Sequence, residues 1–349
     1  MAAAPRANRR ALAFIVLTVF IDMLGFGLVI PVLPMMVSTL SGREIAQATA
    51  IGGWLIMSFA IAQFLFAPFL GNLSDRYGRR PVLLISMAGH GAAYLVAAVA
   101  TTIPMLFVGR VLAGLTGASY STAYAYIADV TPPERRAQDF GLIGVAFGLG
   151  FIFGPALGGI LGATDYRIPF LVAAGLSALN FLFGLFVLPE SLPPERRRRF
   201  ELARANPLGA FRHLTGFGPQ LIRMAMVLFL WSLALQALHG IWSYVAAHRY
   251  SWSPFEVGVS LAVVGLAAVT VNGLLVRRAV RRFGEVMTVV IGLSAGVLAF
   301  SLYALADKPG LAFVAIAVGS LGGLIVPAMQ SLMSQEVPPT SQGELQGGV

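Results

Sequence analysis

The 349-residue sequence contains no cysteine and few charged residues. Without cysteine, the chain has no disulfide framework, no cysteine-ligated metal site and no thiol nucleophile. No segment matches the G-x-x-x-x-G-K-[ST] pattern that cradles nucleotide phosphates, so ATP-driven transport is not supported. The histidines lack the spacing of metal ligands, and we expect neither a metal nor a cofactor.

The scarcity of charge also indicates where the chain resides. Charged residues make up 11% of the sequence, whereas soluble domains carry roughly 25%. The mean hydropathy is +0.80. Most of ten apolar segments have about the 20 residues that a helix needs to cross a bilayer. These segments cover residues 11–34, 46–70, 81–100, 104–128, 139–163, 167–188, 221–246, 256–277, 286–306 and 309–333. The sequence therefore predicts an all-α membrane protein.

The basic residues lie almost entirely on one side of these segments. With the N-terminus in the cytoplasm, nineteen of the 24 arginines and lysines fall in cytoplasmic connections. Four fall outside (Arg43, Arg167, Arg249 and Lys308), and Arg110 lies within a span. This asymmetry follows the positive-inside rule and explains the net charge of +9 without nucleic acid. We expect a multi-pass protein of the cytoplasmic (inner) membrane, with a cytoplasmic N-terminus.

A repeated charged segment indicates an internal duplication. Residues 71–82 (GNLSDRYGRRPV) place four charges and two glycines between apolar runs, which predicts a tight loop at the membrane surface. A shift of 206 residues aligns Arg76 with Arg282, Gly78 with Gly284 and the prolines at 132–133 with those at 338–339. Duplicated bundles of spans are a common construction of transporters.

The duplication divides the chain into two halves. We expect an N-terminal six-helix half over residues 1–188, a cytoplasmic basic linker over 189–219 and an incomplete C-terminal half over 220–349. The second half shows only four spans, and the same shift places Gly347 on Gly141, at the start of a fifth. We therefore expect a bundle of two pseudo-symmetric six-helix halves, truncated here after about ten transmembrane helices. A complete ten-span protein is the alternative.

Two charged residues lie deep within the predicted spans. Asp22 is near the middle of span one, where a carboxylate must face water, pair with a cation or take up a proton. Such a group suits proton coupling, and a neutral carboxyl hydrogen-bonded within the bundle is the alternative. Arg110 in span four lies nearly within reach of Asp22, or it extends to the outer headgroups instead.

Span five contains a regular series of glycines. Gly150, Gly154 and Gly158 recur every four residues, with Pro155 and Gly159 beside them. This spacing places three glycines on one helical face, so a neighbouring helix can approach closely. The proline adds a site for a kink. Helix packing and a role in gating are both consistent with this pattern.

Neutral polar and aromatic residues inside the spans are candidates for a substrate cavity. A cavity lined by aromatic rings and a few amides suits a flat, mostly apolar ligand. Buried amides need hydrogen-bond partners, whereas core packing is the simpler interpretation for the tyrosines. The candidates are Gln63, Tyr120, Tyr124, Gln236, Trp242 and Asn272.

These motifs resemble those of the major facilitator superfamily. Residues 71–82 resemble the signature between its spans two and three, and residues 150–159 (GFIFGPALGG) resemble the span-five motif of its drug/proton antiporters. More narrowly, the chain is similar to the tetracycline-efflux-like branch, on residues 25–34, 63–68, 109–118, 126–129, 188–191 and 206–208. The similarity covers nearly the whole chain.

The resemblance implies roles for particular residues. Asp22 would be the proton-coupling carboxylate, with Arg110 and Gln63 in the cavity. Asp75, Arg79 and Arg80 would form a cytoplasmic latch that pairs with the end of span four. The complete gating motif comprises Gly71, Asp75, Arg76, Gly78, Arg79, Arg80 and Asp129.

Three positions depart from the pattern of tetracycline/proton antiporters. Those proteins carry an aspartate in span three, a histidine in span eight and an aspartate in span nine. Here the corresponding residues are Ala93, Ala268 and Gly296. We therefore expect that tetracycline is not the preferred substrate.

The sequence predicts a secondary active transporter rather than an enzyme. It would export a small amphipathic compound or drug in exchange for protons by alternating access. Its partners would be this compound, protons and membrane lipids, and it would act as a monomer. An uncoupled or metabolite facilitator of the same fold is one alternative, and a non-transporting membrane sensor or scaffold is another.

Overall fold

The computed structural model describes residues 9–117, 119–131, 133–197, 200 and 218–336, and every regular element in those ranges is helical. The helices form two compact units. The first contains the helices before residue 197 together with residues 252–259. The second contains the remaining helical segments between residues 219 and 336. Most of the predicted linker, the prolines at 338–339 and Gly347 lie outside the described residues.

The first unit is a bundle in which α1 and α4 each pack against several other helices. Helix α7 packs along α1, while α8 packs against both α1 and α4. In lipid, each of these helices satisfies its own backbone hydrogen bonds. The helices are α1 (Arg9–Val29), α2 (Leu33–Ser41), α3 (Ile45–Tyr77), α4 (Arg79–Ala98), α5 (Ile103–Leu115), α6 (Ser119–Val130), α7 (Pro133–Gly162) and α8 (Ile168–Val187).

The second unit contains the rest of the described helices. Its core includes Leu228 and Trp231 of the first helix together with Val289, Ile325 and Met329 of later ones. The elements are α9 (Pro219–Tyr250), α10 (Pro254–Thr270, whose first turns belong to the first unit), a π-helical segment (Val271–Leu275), α11 (Val276–Leu305), α12 (Pro309–Ser320), a 3-10 segment (Leu321–Leu324) and α13 (Ile325–Gln335).

The number of membrane-crossing helices is compatible with the ten predicted spans. Within the described ranges, eight stretches are long and apolar enough to cross a membrane. Span four is not among them because it is divided between α5 and α6. Spans eight and nine are joined in one stretch, Pro254–Leu305.

The predicted surface loop at residues 71–82 is wrong in its conformation. Helix α3 continues to Tyr77, α4 begins at Arg79, and only Gly78 separates them. Helix α3 has 33 residues and is therefore about 50 Å long at 1.5 Å per residue, well beyond a bilayer core of ~30 Å. Charged side chains can therefore reach water while the backbone stays helical. The predicted first span is also interrupted, since α1 ends at Val29 and α2 begins at Leu33.

The 206-residue duplication is visible in the backbone. Gly78 has φ 107° and ψ 162°, and Gly284 has φ 75° and ψ 168°. Both φ values lie in the left-handed region that glycine adopts without steric cost. Gly78 lies between α3 and α4, Gly284 interrupts the helical backbone within α11, and the two glycines are 206 residues apart.

Candidate transport site

Asp22 is a buried carboxylate on α1 of the first unit, where it is only 8% exposed. One turn further along the same face, a Cβ atom built on Gly25 would lie 3.3 Å from the Tyr94 ring of α4. The charges of Asp22 and of Arg110 on α5 both act on the Tyr94 hydroxyl. Tyr94 is therefore a third candidate member of this site, and the closeness of Asp22 to Arg110 stays a prediction.

A second polar contact lies one turn before Asp22. The Thr18 hydroxyl donates to the Asn180 side-chain oxygen of α8 at 3.3 Å, and both residues are buried. Sequence analysis missed this pair. The signal was available, because Thr18 is four residues before Asp22 and Asn180 is an amide within an apolar span.

The span-five glycines hold the part of α1 that carries Asp22. A Cβ atom on Gly150 would lie 2.5 Å from the Met23 side chain, and one on Gly154 would lie 2.8 Å from the Cα of Gly27. Gly158 makes an equally close approach to Leu28. These three glycines therefore share the predicted face.

Gly159 serves a different contact. A Cβ atom there would lie 2.6 Å from the carbonyl oxygen of Pro254, in the part of α10 that belongs to the first unit. Pro155 lies within α7, and a Cβ atom on Gly27 would come within 2.6 Å of its ring. Helix α7 therefore packs closely along α1 and also contacts the start of α10.

Span four is broken where it approaches Gln63. The predicted span over residues 104–128 is not one continuous helix, since α5 ends at Leu115 and α6 begins at Ser119. The Gln63 side-chain amide of α3 donates to the Gly117 carbonyl at 3.2 Å. Glycine weakens a helix, and a Cβ atom on Gly114 would lie 2.5 Å from the Phe59 carbonyl oxygen. The Gln63 side chain thus donates a hydrogen bond to a backbone carbonyl in the non-helical segment after α5.

The charged motif at residues 71–82 contacts the end of α6 within the first unit. Arg79 is 9% exposed. Its guanidinium pairs with Asp75, donates to the Ser74 hydroxyl at 2.6 Å and contacts the Asp129 carboxylate at 3.2 Å. We refer to Asp75, Arg79 and their partner Asp129 as the predicted cytoplasmic latch, whose side of the membrane stays a prediction.

Other members of the motif make separate contacts. Arg80 donates to the Leu185 carbonyl at 2.7 Å, and the Arg76 guanidinium lies 4.9 Å from the centre of the Tyr77 ring. The carbonyl of Gly71 accepts a hydrogen bond from the Ser74 hydroxyl at 2.7 Å. The gating role of these residues stays a prediction.

The segment after α8 anchors the latch. One carboxylate oxygen of Glu190 accepts the backbone N–H of Arg79 at 2.8 Å, and the other accepts that of Arg80 at 3.3 Å. Glu190 therefore caps the start of α4, where a negative charge is favourable. Ser191 donates to Asp129 at 3.1 Å. Residues 188–191 were predicted only to be part of the family resemblance, without a structural role.

The predicted cavity residues of the second unit do not share one environment. Trp242 is buried, donates its Nε1–H to the Ser260 hydroxyl at 2.9 Å and contacts the Tyr303 ring edge-on. It lines a cavity of about 280 Å³ between α9 and α11. Gln236 and Asn272 are exposed, and the Asn272 amide donates to the Ala268 carbonyl at 2.9 Å beside the π-helical segment.

The remaining two candidates belong to α6 in the first unit. Tyr124 is 42% exposed. The side chain of Tyr120 lies outside the described residues. The role of all six residues in substrate binding stays a prediction.

Two of the three departures lie in closely packed places. Ala93 is 3% exposed, and its carbonyl oxygen lies 3.2 Å from a Cβ atom built on Gly109. A Cβ atom on Gly296 would lie 2.5 Å from the Trp231 ring. In the part of the chain that the structure describes, no group of three histidine, aspartate or glutamate side chains can hold a metal ion.

A helical bundle with many apolar spans, an internal duplication and a buried carboxylate defines a polytopic membrane transporter. The chain belongs to the Major Facilitator Superfamily, whose family profile matches residues 15–348. Within it, the chain falls in the tetracycline-efflux-like branch. It is 39% identical to the class C tetracycline resistance protein of Escherichia coli, over 98% of this chain and 85% of that protein.

Further relatives have other names. Multidrug resistance protein 2 of Bacillus subtilis is 28% identical over 84% of this chain and 73% of its own length. The crystal structure of the human organic anion transporter MFSD10 has 27% identity and a TM-score of 0.71, covering 97% of this chain and 89% of that one. These similarities confirm the predicted family and fold class.

Proposed function

We propose that this chain exports a small amphipathic compound in exchange for protons by alternating access. The observation that carries the proposal is the burial of Asp22 in the middle of α1. The Tyr94 ring of α4 packs against the same face of α1, next to Gly25. A carboxyl group in such a place is a functional candidate by default, because it is expensive to bury without a role. Relatives named for tetracycline and multidrug resistance support export.

Protonation of Asp22 changes the charge of the site. With Asp22 ionised, its charge opposes that of Arg110 at the Tyr94 hydroxyl. When Asp22 takes up a proton, the positive charge of Arg110 remains without this counter-charge. A conformational equilibrium shifts when a ligand, here a proton, has different affinities for the two states. Proton uptake on one side and release on the other can therefore drive the transport cycle.

The substrate is proposed to be more apolar than tetracycline. Alanine and glycine at positions 93, 268 and 296 supply no polar side chain to a bound ligand. Unpaired polar groups on a bound molecule cost roughly 1–3 kcal/mol each. Next to these apolar residues, an aromatic or cationic amphiphile loses less binding free energy than a polar metal chelate does.

The orientation and the conformational control belong to the same proposal. The distribution of arginine supports a cytoplasmic N-terminus and a cytoplasmic linker at residues 189–219 between two halves. The cytoplasmic latch then lies on the cytoplasmic side, where it would set the populations of the transport states. The protein is proposed to act as a monomer in contact with lipid and not as an enzyme.

The test is a drug-susceptibility panel in an efflux-deficient bacterial host that expresses the chain. We expect raised tolerance to hydrophobic dyes, phenicols or quinolones, little change for tetracycline, and loss of the effect with a protonophore or with Asp22→Asn. Tolerance that resists the protonophore would indicate an uncoupled facilitator. A change for tetracycline alone would contradict the proposed substrate class, and no change for any compound would contradict export.

A further inference from the structure

The second half contains a counterpart of Arg79 with the opposite charge. Shifting by 206 residues places Arg79 on Glu285 and Asp129 on Gln335. Glu285 directly follows Gly284, just as Arg79 directly follows Gly78, and both glycines have positive φ. The two residues therefore begin equivalent helical segments, the start of span three and the start of span nine.

The contact made by Arg79 in the first unit recurs in the second unit with different chemistry. One carboxylate oxygen of Glu285 accepts hydrogen bonds from the Gln335 amide at 3.1 Å and from the Ser331 hydroxyl at 2.9 Å. Both donors lie on α13, one turn apart at its end. In the first unit the cationic Arg79 pairs with the acidic Asp129. In the second unit the anionic Glu285 stands at the position of Arg79 and accepts hydrogen bonds from neutral donors.

We propose that Glu285, Ser331 and Gln335 form a second positioning site, which fixes the junction of spans eight and nine to the end of span ten. The proposal rests on the transport cycle described above, in which this junction must be held in one state and released in another. Because Ser331 and Gln335 carry no charge, salt should weaken this site less than it weakens the ion pairs of the cytoplasmic latch.

The geometry explains why a carboxylate suits this position. Gly284 ends the helical geometry, so the side chain of Glu285 leaves the first turn of a new helical segment. Thr288 on the following turn bonds back to the Gly284 carbonyl at 2.7 Å. Glu285 therefore projects from a braced turn, and its ionised oxygen makes stronger hydrogen bonds to the two donors than a neutral acceptor would.

The first experiment measures local opening. Hydrogen–deuterium exchange of residues 280–290 is compared between the wild type, Glu285→Ala, Glu285→Gln and the control Glu336→Ala. Glu336, the residue after Gln335, carries the same charge as Glu285, but its contact with Gln220 is long, at 3.4 Å. We expect exchange in Glu285→Ala to rise about tenfold, a smaller rise in Glu285→Gln and none in the control. Equal exchange in all four proteins would overturn the proposal.

The second experiment separates positioning from mere stability. In proteoliposomes, with a hydrophobic dye as the transported probe, Glu285→Ala should change the rate of dye exchange several-fold without changing the affinity for the dye. The double variant Glu285→Arg/Gln335→Asp rebuilds the chemistry of the first unit, and it should restore exchange while making it salt-sensitive. Failure of this rescue, or unchanged rates in Glu285→Ala, would contradict the proposal. If the wild type itself transports nothing, the proposed function fails, whereas the hydrogen–deuterium exchange experiment still tests the positioning site.

Discussion

The indole ring of Trp231 fills the space into which a side chain at Gly296 would project. A Cβ atom there would lie 2.5 Å from the ring, closer than packed carbon atoms approach, and the same ring also closes off Gly322. The family pattern predicts an aspartate in tetracycline exporters at the position of Gly296. Gly296 therefore departs from that pattern at a closely packed position.

A substitution at Gly296 should consequently destabilise the second unit. We expect Gly296→Ala to lower the free energy of unfolding by about 1–3 kcal/mol, because the ring has to move. Gly310→Ala is the matched control, since nothing lies within 4 Å of a Cβ atom there. Thermal unfolding in detergent measures the effect. In the otherwise wild-type protein, Gly296→Ala should unfold at a clearly lower temperature than Gly310→Ala, and in a Trp231→Leu background this difference should become much smaller. If the two glycine variants were equally stable in both backgrounds, the packing argument would be refuted.

Asp22→Asn should abolish proton-driven transport and leave the fold intact. The asparagine keeps the size and hydrogen-bonding capacity of the carboxyl group but cannot titrate. Dye uptake into inverted vesicles under an imposed pH gradient is the measurement, with size-exclusion profiles as the check on folding. Asp165→Asn, in the exposed turn before α8, is the control. Uphill transport by Asp22→Asn at the wild-type rate would rule out this role.

Glu190→Gln should loosen the cytoplasmic latch without touching its charged members. The variant loses the negative charge at the start of α4 and one of two strong acceptors, which corresponds to about 0.5–2 kcal/mol for a helix cap. Because Glu190 is exposed, we expect the lower part of this range. Glu195→Gln, in the short 3-10 turn that follows, is the control. The natural absence of cysteine allows a single cysteine at Tyr77 to report the opening by its labelling rate. Identical labelling in both variants would show that Glu190 does not anchor the latch.

Gln63→Leu should disturb the break in span four. The substitution removes the donor to the Gly117 carbonyl, and a carbonyl left unpaired inside a protein costs roughly 1–3 kcal/mol. Hydrogen exchange of residues 112–117 should rise relative to Gln47→Leu, an exposed glutamine earlier on the same helix. Gln63→Glu should behave like Gln63→Leu, because an ionised carboxylate cannot donate to a carbonyl. Unaltered exchange with lost dye affinity would instead assign Gln63 to substrate binding alone.

Patterns that depend on a single chain segment were predictable from the sequence. The apolar spans, the glycine face at Gly150, Gly154 and Gly158 and the duplication at Gly78 and Gly284 each follow from spacing. The fold class follows from these patterns and from the family resemblance.

Features that depend on a neighbouring helix were not predictable in the same way. Helix α3 continues into the charged motif as far as Tyr77 and is longer than the membrane is thick. No local sequence pattern signals this extension. The hydrogen bond that the Gly117 carbonyl accepts at the break comes from α3, and the cap on α4 comes from Glu190, more than 100 residues away. Tyr94 lies near Asp22 because its ring on α4 packs against Gly25 of α1. This is a tertiary contact, which the spacing of residues in the sequence does not indicate.

The division of span four also bears on how the protein enters the membrane during synthesis. Helices α5 and α6 have 13 and 12 residues, so each is about 20 Å long and too short to cross a core of ~30 Å alone. An open backbone turn exposed to lipid is costly, so the two half-helices need a partner for the Gly117 carbonyl as they insert. The amide of Gln63 is that partner, and it is available only after α3 is in place. We therefore expect span four to insert stably only after span two, whose Gln63 completes the hydrogen bond at the break.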